Sequence, residues 1–339
     1  MFLSSKKSIN EEIKLSSHNK TEPVWDIVKN LLYIAIPITI GASISPVMGI
    51  MDSYIVSSRL AAIGYTEAQY TGMFGELSGT AQTLINFPQV FSTAVAMSLV
   101  PAITEAFARN QTQRLNVTAK AGVKMSMIIG LPCGIGLFML AEPVIALLYP
   151  SIGSAKHASS GALLEILAIG VIFLTLVQAF TAILQSVNKQ YQPVKNLAFG
   201  LVIKVILSYI LIGIPSINIK GAAVSTTVAY LFVALLNWRD VNKTKIKVNL
   251  IEITARPLLS SAVMALATGI SFWVLKSVLK DVVLHVGRFA LSGQSIATLG
   301  AIVIAVIVYA VCLFLTGAIT RQDLELIPKG EKLTKFVRK

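Results

Sequence analysis

The sequence has few charged residues and very little cysteine or histidine. Only 13% of its 339 residues are charged, and it contains two cysteines and three histidines. Soluble domains are about one quarter charged, so this composition excludes an ordinary soluble protein. Cys133 and Cys312 fall in separate apolar runs and the histidines stand far apart, so we expect neither a disulfide nor a metal site.

The motifs of common enzyme classes are also absent from the sequence. It has no GxxxxGK[ST] phosphate loop and no Ser/His/Asp arrangement or pair of carboxylates that suggests catalysis. A membrane-embedded glycosyltransferase or polymerase would need acidic residues in a loop, and the loops offer only isolated ones: Glu67, Asp240, Glu252 and Asp281. We therefore expect no enzymatic activity and no cofactor.

Long apolar runs dominate what is present. Hydrophobic residues make up 55% of the chain, and the mean hydropathy is +0.73. A helix needs about 20 apolar residues to cross a membrane, and eight runs approach or exceed that length: 31–58, 77–103, 118–141, 161–187, 194–214, 220–238, 257–279 and 294–316. The sequence thus predicts an all-α integral membrane protein with eight transmembrane helices, and the shorter run Pro143–Tyr149 is expected at the membrane interface.

The basic residues predict the orientation of these helices. If the eight runs cross the membrane in turn, 22 of the 29 lysines and arginines fall on one side and six on the other, which leaves Lys204 inside the membrane. Cytoplasmic loops are the ones enriched in lysine and arginine. We therefore expect a multi-pass protein of the bacterial cytoplasmic membrane with both termini in the cytoplasm.

Lys204 interrupts the fifth run. It lies 11 residues after Pro193, which corresponds to about 16 Å along a helix and places it near the middle of the membrane. A lysine at that depth costs a few kcal/mol, so it should face protein, water or substrate and not lipid. Glu165 is a candidate buried partner for it.

Two polar stripes accompany this lysine. The second run carries Glu76, Thr80, Thr83 and Asn86, and the fourth run carries Gln178, Thr181, Gln185 and Asn188. On a helix each set covers one broad arc that should not face lipid. Together with Lys204 they predict a shared wet cavity, and polar contacts between packed helices are the alternative.

The first run is interrupted by several helix-breaking residues. Asp52 and Arg59 follow four of them: Pro37, Gly41, Pro46 and Gly49. Transporters use broken helices to expose polar backbone groups to a cavity, so we expect a bent helix with a functional role. The alternative is an ordinary proline kink with Asp52 near the outer interface.

Four segments resemble a known family. They are MDSYIVSSRL (51–60), GELSGTAQTLINFPQVFSTAVAMSLVPAITEA (75–106), AILQSVNKQYQPVKN (182–196) and IKVILSYILIGIPSINIKGAAVSTTVAY (203–230). They resemble the polysaccharide-export branch of the multidrug/oligosaccharidyl-lipid/polysaccharide superfamily, in particular stage V sporulation protein B-like proteins and lipid II flippases.

The resemblance implies an architecture in which this chain supplies the second half. Family members have two six-helix lobes around a central cavity plus two extra C-terminal helices, and the eight runs match the second lobe and the extra pair. Three explanations for the missing first lobe are open: Met1 is an internal or false start, a separate chain supplies the first lobe, or the chain is a truncated remnant. The implied division is a basic cytoplasmic tail or linker (1–30), the lobe (31–238), a cytoplasmic loop (239–256), the extra pair (257–316) and a basic cytoplasmic tail (317–339).

The family implies flipping of an undecaprenyl-pyrophosphate-linked oligosaccharide or peptidoglycan precursor by alternating access. Lys204 matches a basic position common in this helix of the family and is our first candidate to bind the pyrophosphate. Thr83 stands where lipid II flippases often have an arginine, which favours the sporulation-type branch. Further candidate cavity residues are Asp52, Arg59, Glu76, Asn86, Gln178 and Gln185.

Two alternatives remain open from the sequence. One is cation-coupled multidrug efflux, which a carboxylate within the cavity would favour, and Asp52 is the candidate for it. The other is an inactive or structural truncated lobe. No nucleic-acid partner is expected, because the basic residues lie between apolar runs and at the ends without a nucleic-acid-binding motif around them.

Overall fold

The computed structural model describes residues 23–280, 282–286 and 289–318 of the chain. In chain order the helices are α1 (Val24–Ala62), α2 (Glu67–Ala108), α3 (Thr112–Met139), α4 (Ala141–Leu148), α5 (Ser154–Ser186), α6 (Tyr191–Ile212), α7 (Lys220–Asn242), α8 (Leu250–Val278) and α9 (Gly293–Leu315). Within the described residues, all of these except α4 are long and apolar enough to cross a membrane. The eight predicted spans are confirmed.

Small irregular elements connect the long helices. A 3₁₀ turn at Pro150–Ile152 follows α4. Strands β1 (Val283–Val286) and β2 (Phe289–Ser292) form an antiparallel hairpin between α8 and α9. Between α7 and α8 the chain leaves helical geometry only over residues 243–249, so most of the segment predicted as the loop 239–256 is helical. Residues 1–22 and 319–339 of the two predicted tails lie outside the described residues.

Helix α2 begins at Glu67, before the apolar run predicted at 77–103, because a capping box defines its N-terminus. The backbone N–H of Thr66 donates to the side-chain oxygen of Gln69 at 2.9 Å. This is the sequence signature of a helix N-terminus, Ser or Thr followed three residues later by Glu or Gln. The same helix includes a π-helical segment, Glu76–Ala81, flanked by α-helix on both sides.

Helix α5 is the centre of the bundle and α1 lies at its edge. In the most apolar 18-residue stretch of each helix, 67% of the residues of α5 are buried but only 12% of those of α1. Two hydrophobic clusters meet on α5, one around Phe180 with α2, α3 and α7, and one around Leu164 with α1, α2 and α7. The lobe is therefore organised around α5, while α1 is its least buried long helix.

The extra pair, α8 and α9, packs beside α3. The hydroxyl of Tyr309 on α9 donates to the backbone oxygen of Ile128 on α3 at 2.7 Å. Ser260 on α8 and Thr316 after α9 share a hydrogen bond of 3.0 Å. Polar contacts of this kind hold membrane helices together without a hydrophobic driving force.

The close approach of α3 and α5 gives a first prediction. A Cβ atom on Gly134 would lie 2.8 Å from the backbone oxygen of Ala168, which cannot move aside, whereas one on Gly136 would meet only Met264 at 4.0 Å. Gly134→Ala should lower the free energy of unfolding by about 1–3 kcal/mol through overpacking. Thermal unfolding of the purified protein in detergent measures this. Gly136→Ala is the control on the same helix, and equal effects of the two changes would contradict the packing.

Candidate functional site

A polar cavity of about 340 Å³ lies inside the lobe between α1, α2, α5, α6 and α7. Its apolar walls come from side chains such as Ile38, Met48 and Leu197. Its polar groups come from four of the five helices: Ser45, Gln89, Thr93, Gln178, Thr181, Gln185 and Tyr230. No charged side chain occurs among the described residues that line it, so this polar cavity suits neutral hydrogen-bonding groups such as hydroxyls, amides or water.

An ion pair joins α1 to α6 beyond the polar cavity. The Lys204 Nζ atom lies 2.5 Å from the Asp52 Oδ2 atom, and the side chains are 7% and 19% exposed. Met48, which lines the polar cavity, is one helical turn from Asp52. A charge in a membrane helix is expected to face the bundle interior and pair with an opposite charge, and it often marks a substrate or ion pathway.

Lys204 is buried because the inward face of α6 is made of small and polar residues. Its buried positions follow helical spacing: Pro193, Asn196, Gly200, Lys204, Ser208 and Ile212. The opposite side exposes large apolar side chains such as Phe199, Val202 and Ile206. Small and polar residues facing the protein, with large apolar residues facing outward, are typical of membrane helices, whose interfaces favour small residues and interhelical hydrogen bonds.

Tyr230 connects the polar cavity with the ion pair. It lines the cavity from α7 and lies close enough to Asp52 to interact with it electrostatically. Sequence reasoning missed Tyr230, because an aromatic residue in an apolar run gives no signal of a polar contact.

A second polar network lies nearer the other end of α6. The Asn196 amide donates to Asn237 at 2.8 Å, and the Asn237 amide donates to Thr181 in the cavity lining at 3.3 Å. Asn237 is fully buried. The sequence does indicate that Asn196 is buried. It stands one helical turn before Gly200 and two turns before Lys204, so all three lie on the same face of α6.

Arg59 makes a second connection between α1 and α6. Its Nε atom donates to the backbone oxygen of Tyr209 at 3.0 Å, and its guanidinium lies 4.2 Å from the centre of the Tyr209 ring. Arg59 lies outside the cavity lining. The contacts give it a packing function in this conformation.

The structure places the two predicted polar stripes in different surroundings. Gln178 and Gln185 line the polar cavity, but Glu76, Thr83 and Asn86 do not. Glu76 accepts a hydrogen bond from Ser159, while Thr83 and Asn86 are exposed. A π-helical segment takes more residues per turn than an α-helix, so residues on the two sides of Glu76–Ala81 do not keep α-helical spacing. A cavity shared by both stripes stays a prediction.

One expected partner was wrong. Glu165 is exposed, and the partner of Lys204 is Asp52.

Helix α1 is one continuous helix through Pro37 and Pro46, and its expected bend with a functional role stays a prediction. In membrane helices proline is tolerated, since neighbouring groups satisfy the freed backbone. In the described part of the chain no cluster of three metal-binding side chains occurs.

The chain is similar in sequence to several known membrane proteins. A family model for the lipid II flippase MurJ matches residues 26–286. Among curated proteins of Bacillus subtilis (strain 168), the uncharacterized membrane protein YabM is 23% identical over 93% of this chain and 56% of its own length. The stage V sporulation protein B is 25% identical over 63% of this chain and 40% of its own length. The lipid II flippase MurJ is 27% identical over 72% of this chain and 44% of its own length.

Solved structures show the same fold. The inward closed conformation of lipid II flippase MurJ gives a TM-score of 0.64 at 17% identity and covers 88% of this chain and 56% of that one. An outward-facing multidrug resistance MATE transporter gives a TM-score of 0.53 at 15% identity, with coverage of 89% and 67%.

The eight spans, the internal polar cavity and the buried ion pair define a multi-pass membrane protein of the transporter class. The chain belongs to the lipid II flippase MurJ family, which groups transporters and not enzymes. The resemblance to sporulation protein B-like proteins and lipid II flippases is thereby confirmed. The chain spans about half the length of the curated relatives it matches.

The buried ion pair gives a second prediction. Asp52→Asn should lower the free energy of unfolding by about 3–5 kcal/mol, because it leaves the Lys204 ammonium buried without a counter-charge. Adding Lys204→Met should restore most of this loss. Thermal unfolding in detergent measures both effects. Lys220→Met removes an exposed lysine and should change nothing; an unchanged Asp52→Asn protein would contradict the buried pair.

Proposed function

We propose that this chain acts as the second lobe of a flippase for an undecaprenyl-pyrophosphate-linked oligosaccharide or peptidoglycan precursor. The substrate would cross the bacterial cytoplasmic membrane by alternating access, with its lipid tail in the bilayer. Membership of the lipid II flippase MurJ family supports this. In this proposal the chain divides into the lobe 31–238, the connecting segment 239–256 and the extra pair 257–316.

A first lobe on a separate or preceding polypeptide is part of this proposal. The chain spans about half the length of its relatives. Thr83 and Asn86 are polar but exposed on α2, and exposed polar groups on a membrane helix suit a water-filled central cavity better than lipid. These residues and Glu76 would then face the central cavity between the lobes.

The observation that carries the proposal is the buried Lys204–Asp52 ion pair beyond the polar cavity. A pyrophosphate that approaches Lys204 would compete with Asp52 for the ammonium, because phosphate oxygens form strong charge-assisted hydrogen bonds. Loss of the pair removes one of the connections that hold α1 to α6. Since α1 is little buried elsewhere, substrate binding would release it and favour the other conformation.

Gln178 and Gln185 would bind neutral parts of the head group in this scheme. Both lie in the uncharged lining of the polar cavity. A volume of about 340 Å³ is at the small end of ligand sites, so it accommodates only a part of a lipid-linked oligosaccharide. The rest of the head group would lie between the two lobes.

The substrate proposed first is the one transported by the sporulation-type branch. Thr83, where lipid II flippases often have an arginine, supports that choice over lipid II itself. Cation-coupled drug efflux has less support, because the cavity lining contains no carboxylate and Asp52 is occupied by Lys204.

A charge exchange separates a binding role of Lys204 from a structural one. The chain is fused behind the first lobe of a full-length relative, and growth or sporulation is scored in cells lacking that relative. Lys204→Ala should abolish complementation at unchanged membrane levels. The double exchange Lys204→Asp with Asp52→Lys keeps an ion pair but moves the cation to α1, so it should also fail.

Restored complementation by the double exchange would assign the pair a structural role only. Lys220→Ala is the matched control and should complement fully, because Lys220 is exposed at the start of α7. If the parent fusion does not complement although it reaches the membrane, the chain is an inactive lobe and the proposed function is wrong.

The proposed orientation is tested by cysteine labelling in intact cells. Ser154 is the first residue of α5, Gln113 lies in the first turn of α3, and both are exposed. With Cys133 and Cys312 replaced by alanine, a membrane-impermeant maleimide should label the Ser154→Cys protein but not the Gln113→Cys protein. Permeabilised cells should label both. The reverse pattern in intact cells would overturn the assignment of both termini to the cytoplasm.

A further inference from the structure

A second pocket, of about 460 Å³, lies at the end of the bundle where α2, α5 and α7 end and α6 begins. Three lysines line it, Lys189, Lys243 and Lys245, together with one carboxylate, Asp240. We call it the basic pocket. It is separate from the polar cavity, and nothing in the transport scheme uses it.

The single carboxylate of the basic pocket is already satisfied by its neighbours. One Asp240 oxygen lies 3.0 Å from the Lys243 ammonium, and the other accepts a hydrogen bond of 2.9 Å from the Asn196 amide. Asp240 and Lys243 therefore neutralise each other within the protein. The charge of the pocket is set by the two lysines that remain.

Lys189 and Lys245 lack an acidic partner. Lys245 contacts the neutral side-chain oxygen of Asn110 at 3.4 Å, a long distance for a hydrogen bond. Among the described residues no carboxylate forms an ion pair with either lysine. Both ammonium groups are exposed, so the pocket presents a net charge of about +2 to a ligand.

The segment that carries Lys245 is held in place by hydrogen bonds. The Asn116 side chain donates to the Lys245 backbone oxygen at 3.0 Å and accepts from the Lys247 N–H at 2.8 Å. The Trp238 indole donates to the Val248 backbone oxygen at 2.9 Å. The lysine is thus presented by a fixed loop, which reduces the entropy that binding must overcome.

One wall of the basic pocket is apolar. It is formed by Phe107, Leu184 and Val187, in the last turns of α2 and α5 or directly after them. Two neutral polar residues, Gln192 and Thr244, complete the lining. A cationic rim over an apolar wall at the end of membrane-spanning helices matches an amphiphile with an anionic head. A free phosphate ion would use the lysines but would gain nothing from the apolar wall.

We propose that the basic pocket binds the phosphate head group of an anionic phospholipid. Basic pockets between membrane helices on the cytoplasmic side are suited to such head groups, and attraction to an anionic lipid grows with each lysine near the surface. The pocket lies at the end of the bundle with the basic loops, because Arg109 and Arg114 follow α2 there. This proposal is independent of the transported substrate.

Tryptophan quenching by brominated lipids tests the proposal. The chain has three tryptophans, and replacing Trp25 and Trp273 with phenylalanine leaves Trp238 beside the loop of Lys245. The full chain is reconstituted in vesicles with phosphatidylglycerol or phosphatidylcholine brominated near the head group. We expect half-maximal quenching at a roughly fivefold lower fraction of the anionic lipid. Equal quenching by both lipids would overturn the proposal.

Charge variants assign the selectivity to this pocket. Lys189→Gln with Lys245→Gln should abolish the preference, while the Asp240–Lys243 pair stays intact. Lys189→Arg with Lys245→Arg should keep it. The matched control is Lys156→Gln with Lys220→Gln, two exposed lysines at the opposite ends of α5 and α7, which should retain the preference.

Two outcomes of these variants would contradict the assignment. A preference that persists in the double Lys189→Gln, Lys245→Gln protein would place anionic-lipid binding elsewhere. The parent protein is also measured with chloride exchanged for inorganic phosphate at equal ionic strength. If this exchange removes the preference for phosphatidylglycerol, the pocket binds free phosphate and not lipid. Unchanged Trp238 emission in unbrominated vesicles verifies that the variants are folded.

Discussion

A polar group inside a membrane helix must find its partner within the protein, and this constraint decides how the lobe is packed. Lys204 meets Asp52, Asn196 meets Asn237, and Ser208 meets Ser225 at 2.5 Å. Each pair joins α6 to another helix. The polar residues thus specify which helices are neighbours, whereas the large apolar side chains of α6 mostly face outward.

Polar and aromatic contacts also attach α1 to α6. Its contacts with α6 include an ion pair at Asp52, a hydrogen bond and ring contact at Arg59, and the edge-to-face rings of Tyr33 and Tyr191 with centres 5.4 Å apart. Its buried apolar side chains are concentrated near its C-terminal end, where Ile55, Val56 and Leu60 join the cluster around Leu164. The polar contacts are the part of the attachment for which water or an anionic group can compete.

The sequence predicts the spans well because a membrane imposes a length and a hydrophobicity on every helix. The early start of α2 was also readable from Thr66 and Gln69. The partner of Lys204 was not, since Asp52 is 152 residues away along the chain and Glu165 was equally compatible with the spacing. The different surroundings of the α2 stripe could not be read from the sequence either, because a π-helical segment changes the phase of all residues that follow it and no composition marks that segment.

The location of charge in the lobe limits how it can take an anion. The polar cavity has no charged side chain in its lining, and moving an unpaired phosphate charge into a neutral, low-dielectric site is strongly unfavourable. The cavity alone is therefore suited to neutral parts of a head group, and the phosphates need a cation beside it. Lys204 lies beyond the cavity and is engaged with Asp52. Under the proposed function, an anion that binds Lys204 must therefore compete with Asp52 and would weaken one of the contacts that join α1 to α6. A substrate without the charge would leave the pair intact and would not supply that difference in binding energy.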